Sequence, residues 1–213
     1  LSSARFTSIN RTDQFLEETY SLGLSTYDLH GDGSGVCHSS RLRPILNMRP
    51  KSDLWQFNAD THITDWLAAK GFDCDIITDE DLHFEGLDCL KPYRCVITGT
   101  HPEYYSLKML NALQDFTDRG GRLIYLGANG FYWRIAWHPS LDGVIEHRRS
   151  EDGMRAWMSQ PGESYMAFTG EYSGLWQRNG RPPNMLVGTA FSGQGFDVAS
   201  YYRRLPASRD PRA

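Results

Sequence analysis

Between Trp55 and Gly127 short apolar runs alternate with stretches of helical period, and this alternation narrows the possible folds more than any other feature of the chain. Asn58 or Asp60 can cap a helix whose apolar stripe is Ile63, Trp66 and Leu67 and which stops at Lys70-Gly71, with glycine at the left-handed position. Cys74-Asp75-Ile76-Ile77-Thr78 then reads as a short strand, and Asp79-Glu80-Asp81 opens a helical stretch through Leu87 and Leu90. Tyr93 to Gly99 is nearly all apolar at its centre, the pattern of a strand covered on both faces. Leu107, Met109, Leu110, Leu113 and Phe116 form the next stripe, ending at Arg119-Gly120-Gly121, and Leu123-Ile124-Tyr125-Leu126 is the strand after it. Strands separated by helices at this spacing predict βαβ units, hence a mostly parallel sheet with right-handed crossovers.

Beyond Gly130 the pattern changes. Phe131 to Trp137 and Val144 to Arg149 read as extended segments of an antiparallel addition, and Met185 to Ala190 as a last strand. Ser150 to Gly180 is rich in Gly, Ser, Glu and aromatics without period, so the C-terminal third is expected to be irregular and β-rich. The 213 residues suit one domain over 1–213. Leu1 and the polar run behind it, with the abrupt end at Ala213, suggest an internal piece of a longer subunit.

A net charge of −4 with no basic face argues against nucleic acid as a partner. No run approaches the roughly 18 apolar residues of a membrane span. Cys37, Cys74, Cys89 and Cys95 lack metal or redox spacing, and Cys74 and Cys95 are expected to pack as small hydrophobes inside strands. That usage fits a reducing, cytoplasmic compartment.

In open parallel sheets ligands collect at the carboxyl ends of strands. Here those ends are Thr100-His101-Pro102-Glu103-Tyr104-Tyr105-Ser106 and Gly127-Ala128-Asn129-Gly130, with His62 in the first turn of the Ile63 helix at the same edge. The turn after Leu126 holds no cysteine, which removes the acyl-enzyme route of class I glutamine amidotransferases, enzymes with this kind of sheet. No G-x-S-x-G, Walker A or H-E-x-x-H string occurs either, so an enzyme of this sequence would use water as nucleophile. The Thr100–Ser106 loop has two readings. Thr100 with Glu103, or Ser106 alone, can cap a helix; alternatively His101, Glu103, Tyr104 and Tyr105 cluster polar ligands at the catalytic edge. The glycines of Tyr27 to Gly35 are better explained by turns than by a calcium loop. Glu171, among aromatics, is a candidate general base.

Several strings resemble one family. Tyr27 to Val36, Arg43 to Lys51, Ile77 to His83, Thr100 to Tyr104 and Leu126 to Trp133, continued by Arg181-Pro182-Pro183 and Gly193 to Asp197, are similar to the large (β) subunit of N,N-dimethylformamidase and its relatives. The resemblance implies a three-layer, class I glutamine-amidotransferase-like (flavodoxin-like) α/β domain of a longer subunit. It implies hydrolysis of an N-substituted formamide to formate and an amine by a metal-activated water. It further implies a mononuclear ferric iron held by two tyrosines and a glutamate, with a small subunit and further copies of the large subunit as partners.

Mapped onto this sequence, Tyr104 corresponds to one tyrosine and Glu171 to the glutamate, while His62 stands where the other tyrosine is expected. Hard phenolate and carboxylate oxygens suit ferric iron. Glu103 and His101 are then supporting acid–base residues. A domain of this fold that only binds or assembles is the competing expectation, favoured by His62; a sugar-binding domain of similar fold rests on analogy alone.

Overall fold

A computed structural model describes residues 21, 24–42, 57–150, 156–157 and 162–191. Along them run β1 (His38–Ser40), α1 (Phe57–Ala69), α2 (Asp79–Glu85) with a 3-10 turn behind it (Gly86–Cys89), β2 (Cys95–Ile97), β3 (Tyr104–Tyr105), α3 (Leu107–Asp118), β4 (Arg122–Ile124), β5 (Trp133–Trp137), β6 (Val144–His147) and α4 (Asn184–Val187). The expected strings at Arg43–Lys51 and Gly193–Asp197 lie outside the described residues.

β2 and β4 pair in parallel with Val96 opposite Leu123, and α3 lies between them in sequence. The other sheet has the order β1-β6-β5-β3: β6 is antiparallel to both its neighbours, and β3 is parallel to β5. α3 begins where Ser106 Oγ accepts the Met109 N–H, and its buried stripe of Met109, Leu110, Leu113 and Phe116 meets Leu82, Leu90, Tyr105, Phe131 and Trp176 in the larger core. A second core gathers Tyr104, Trp133, Ile135, Trp137, Ile145 and Leu175.

Four local expectations change. Asp60 lies inside α1 rather than at its cap, because its carboxylate instead takes the Thr100 N–H at 2.6 Å. Cys74 to Thr78 forms no ladder; Ile76 is exposed, and Cys74 and Cys95 are exposed thiols instead of packed ones. The strand expected at Met185 is the short helix α4. Pro183 sits in helical geometry at its start and Gly188 ends it at φ +73°, so ring and glycine constraints outweigh the apolar run. Among the described residues no helix is long and apolar enough to cross a membrane.

α2 is capped by Thr78, whose side chain accepts from Asp81 N while Asp81 accepts from Thr78 N. It carries His83 against Phe84 and Trp137, with Nδ1 2.7 Å from Ser106 Oγ. Burial, aided by the nearby Lys108 charge, pulls His83 from the ordinary 6.5 down to about 4. The unfolded chain therefore binds a proton that the folded chain refuses, and stability falls as pH drops from about 6.5 towards about 4. His147 adds to this with the same sign. With partial exposure discounted, His83 contributes on the order of 1–2 kcal/mol. His83→Phe should shrink the difference between urea midpoints at neutral and mildly acid pH; an unchanged difference would remove His83 from the acid response.

Candidate functional site

The carboxyl ends of β2 and β4 are joined backbone to backbone. Ala128 N–H donates to Thr100 O at 3.1 Å and Phe131 N–H to Pro102 O at 2.8 Å. Gly127 is needed for this approach, since a Cβ there would stand 2.2 Å from Pro102 Cδ. Asn129 and Phe131 adopt left-handed geometry without being glycine, at φ 51° and 54°. Such conformations persist where surrounding contacts hold them, and they concentrate at functional sites.

Asp60 anchors the other side of this edge. Its Oδ1 accepts from both the N–H and the hydroxyl of Thr100, and a Cβ on Gly99 would come within 3.0 Å of the carboxylate. α1 is thus tied by its first turn to the end of β2.

Within the joined loops His101 Nε2 lies 3.0 Å from Glu103 Oε2, with side-chain exposures of 11% and 6%. Asn129 Nδ2 is 3.5 Å from the same ring nitrogen, a long contact but an adjacent dipole. Glu103 is therefore spent on His101 rather than on a capping box with Thr100, and α3 is capped by Ser106, whose own N–H meets Met109 Sδ. With Nε2–H directed at the carboxylate, the imidazole lone pair is on Nδ1. A largely buried histidine oriented by a carboxylate is a general-base arrangement.

Tyr104 and Glu171 each meet a different arginine. The register sets Tyr104 beside Trp133 and Tyr105 beside Arg134, and alternation sends these two pairs to opposite faces. Tyr104 Oη accepts from Arg149 Nη2 at 2.8 Å, while Glu171 Oε1 meets Arg134 Nη2 at 2.6 Å. Arg134 lies over the Trp176 ring, on the Tyr105 side. His62 is exposed on α1. Burial, reinforced by Glu103, raises the Tyr104 phenol well above its ordinary value against the opposing pull of Arg149. Ferric iron requires ionised oxygen donors converging on one point. Tyr104 and Glu171 are each already bonded to an arginine and His62 is exposed on α1, so the printed contacts give these three no shared point for a metal ion and no step is derived through iron.

The structure also groups Cys37, His38 and Glu146, with potential ligand atoms within 4.8 Å of one another. Glu146 already accepts from Arg148, Ala167 N and Phe168 N, which makes it a structural anchor. Sequence reasoning gave no role to Arg134, His147 and Arg149, took Asp60 only as a possible helix cap, and singled out the turn that holds Asn129 without giving that residue a role of its own. Asn129 had a signal in the turn after Leu126; the others sit in ordinary helical or extended contexts, and only tertiary pairing gives them a role.

The model of a family described as N,N-dimethylformamidase beta subunit-like, C-terminal, matches residues 14–213. The chain is similar to the N,N-dimethylformamidase beta subunit of Paracoccus aminophilus, with 43% identity over 196 residues covering 90% of the chain and 26% of that relative. Against the N,N-dimethylformamidase beta subunit of an Alcaligenes sp it is 40% identical over 210 residues, covering 96% of the chain and 27% of the relative. The chain thus spans about a quarter of the length of the curated relatives it matches.

Proposed function

This chain belongs to the N,N-dimethylformamidase beta subunit-like, C-terminal family, and on that premise we propose that it forms the acid–base part of an amidohydrolase that cleaves an N-substituted formamide. The observation that carries this reading is the His101–Glu103 pair, 3.0 Å apart and nearly buried where the loops after β2 and β4 meet. Glu103 holds Nε2–H, His101 Nδ1 takes a proton from water, and the hydroxide adds to the formyl carbon. The proton then passes from His101 to the departing amine, and formate and amine are released. Asn129, held at positive φ beside the imidazole, offers its amide N–H2 as a donor to the oxyanion that forms at the formyl oxygen.

The β2–α3–β4 crossover supports a glutamine-amidotransferase-like α/β domain as the fold, also as a proposal. The relatives are named as beta subunits. We extend that to a small-subunit partner and further copies of the large subunit, for which the exposed Trp66 and Phe57 of α1 offer apolar contact area.

Glu103→Gln keeps shape and loses charge. In the full-length subunit it should lower kcat for formate release from N,N-dimethylformamide at least tenfold, with KM little changed. Wild-type kcat in that variant would leave the chain as an assembly or binding domain.

A further inference from the structure

The amino ends of β2 and β4, opposite the edge that carries His101 and Glu103, frame a cavity of about 360 Å³. Lys91, Arg94, Arg119 and Arg122 line it, and Tyr93 and Phe116 supply ring surface. Four cationic side chains surround one opening in a chain whose net charge is −4. The backbone explains why they meet. Arg122 N–H donates to Arg94 O at 3.0 Å, which fixes the start of β4 beside the start of β2, and Arg119 ends α3 just before it. Gly121 carries no side chain, so the Phe116 ring can pack where a Cβ would stand.

Structural duties account for only part of this charge. Lys91 pairs with Asp88 at 2.5 Å, and Arg119 complements the dipole at the C-terminus of α3. Asp88 senses the Arg119 charge but is bonded to Lys91. The nearby Asp75 accepts from the Tyr93 hydroxyl and Asp118 from Gln114 Nε2. Among the described residues no side-chain hydrogen bond or ion pair engages Arg94, Arg119 or Arg122. Like charges around one opening repel one another, and a bound anion relieves that repulsion. Guanidinium forks match the paired oxygens of carboxylate and phosphate. Three unengaged guanidinium groups exceed what a single carboxylate neutralises, which favours phosphate groups. The cavity has the size of a small-molecule site, and the negative net charge repels a long polyanion such as nucleic acid. We propose that Arg94, Arg119 and Arg122 bind a small molecule carrying two or more phosphate groups. The site stands whether or not the chain hydrolyses amides, since it lies at the other ends of the strands from His101 and Glu103.

Calorimetric titration of the full-length subunit with sodium pyrophosphate tests this at about 0.15 M salt, where screening suppresses diffuse surface attraction. A second arm with ADP separates an organic phosphate from a free inorganic one, and an oligoglutamate peptide is the control. At least one of the two phosphates should bind saturably. Arg94→Gln and Arg122→Gln alter exposed side chains and should leave folding intact. Each should weaken that binding about tenfold, the loss of one charge-assisted contact. Lys70→Gln, behind α1, changes net charge equally and should alter the affinity by less than about twofold. An equal loss in Lys70→Gln would mean diffuse attraction and overturn the proposal. Oligoglutamate binding as tightly as either phosphate would make the cavity a dock for an acidic protein segment, which also overturns it. So would the absence of saturable binding by both phosphates. His101→Ala should leave the phosphate affinity unchanged whatever it does to hydrolysis, so the two readings fail separately.

Discussion

Glu146→Gln is expected to destabilise the folded chain by about 3–5 kcal/mol, the cost of breaking a buried ion pair from one side. Glu146 is 0% exposed on β6. One oxygen accepts from Arg148 Nε at 2.5 Å and Ala167 N at 2.8 Å, and the other from Phe168 N at 2.9 Å. Arg148 in turn reaches Glu163 Oε2 at 2.6 Å, so a single carboxylate ties the aperiodic 163–168 segment to the sheet. An amide of the same shape turns an NH2 towards one of these donors and leaves Arg148 with only the part-exposed Glu163 as its charge partner. Glu163→Gln is the internal control: its side chain is 37% exposed, and an exposed pair contributes less than about 1 kcal/mol. Urea unfolding should show a large fall in midpoint for Glu146→Gln with an unchanged slope, and a small fall for Glu163→Gln. Equal effects would show that the segment is held by other contacts.

The helical stripe of α3 and its Gly120 stop were legible because an amphipathic period and a left-handed glycine are local properties. The parallel match of Val96 with Leu123 was legible for the same reason, since only a crossover links two apolar runs across such a helix. Cys74–Thr78 shows where locality ends: an apolar run is a strand only if a neighbour offers its ladder, and here Ile76 remains exposed. In α4, two prolines and a glycine override the side chains between them.

At the site, His101 and Glu103 were readable as candidates from their position after β2, because two residues so close in sequence meet through local geometry alone. Tyr104 and Glu171 could not be judged this way. Whether they share a face depends on the register of Tyr104 against Trp133, which no local pattern encodes. The arginines that engage them, Arg149 and Arg134, lie 45 and 37 residues away in the chain (149 minus 104, 171 minus 134).

The acid–base role proposed for His101 has the largest expected catalytic effect. Removing a positioned general base costs about 10²–10⁴-fold in rate. His101→Ala in the full-length subunit should therefore lose at least two orders of magnitude in kcat for formate release. The imidazole side chain is nearly buried but sits at the loop edge, where its removal leaves a space of its own shape beside Glu103. Added imidazole can occupy that space, bond the carboxylate and resume the proton transfer, whereas a purely structural histidine would not respond. Glu103→Gln should blunt the rescue, since the orienting charge is gone. The decisive measurement is kcat for formate release by His101→Ala with and without imidazole. The account predicts a loss of at least about a hundredfold that imidazole partly and saturably restores; near-wild-type kcat in the variant, or a loss that imidazole leaves untouched while folding is intact, would contradict it.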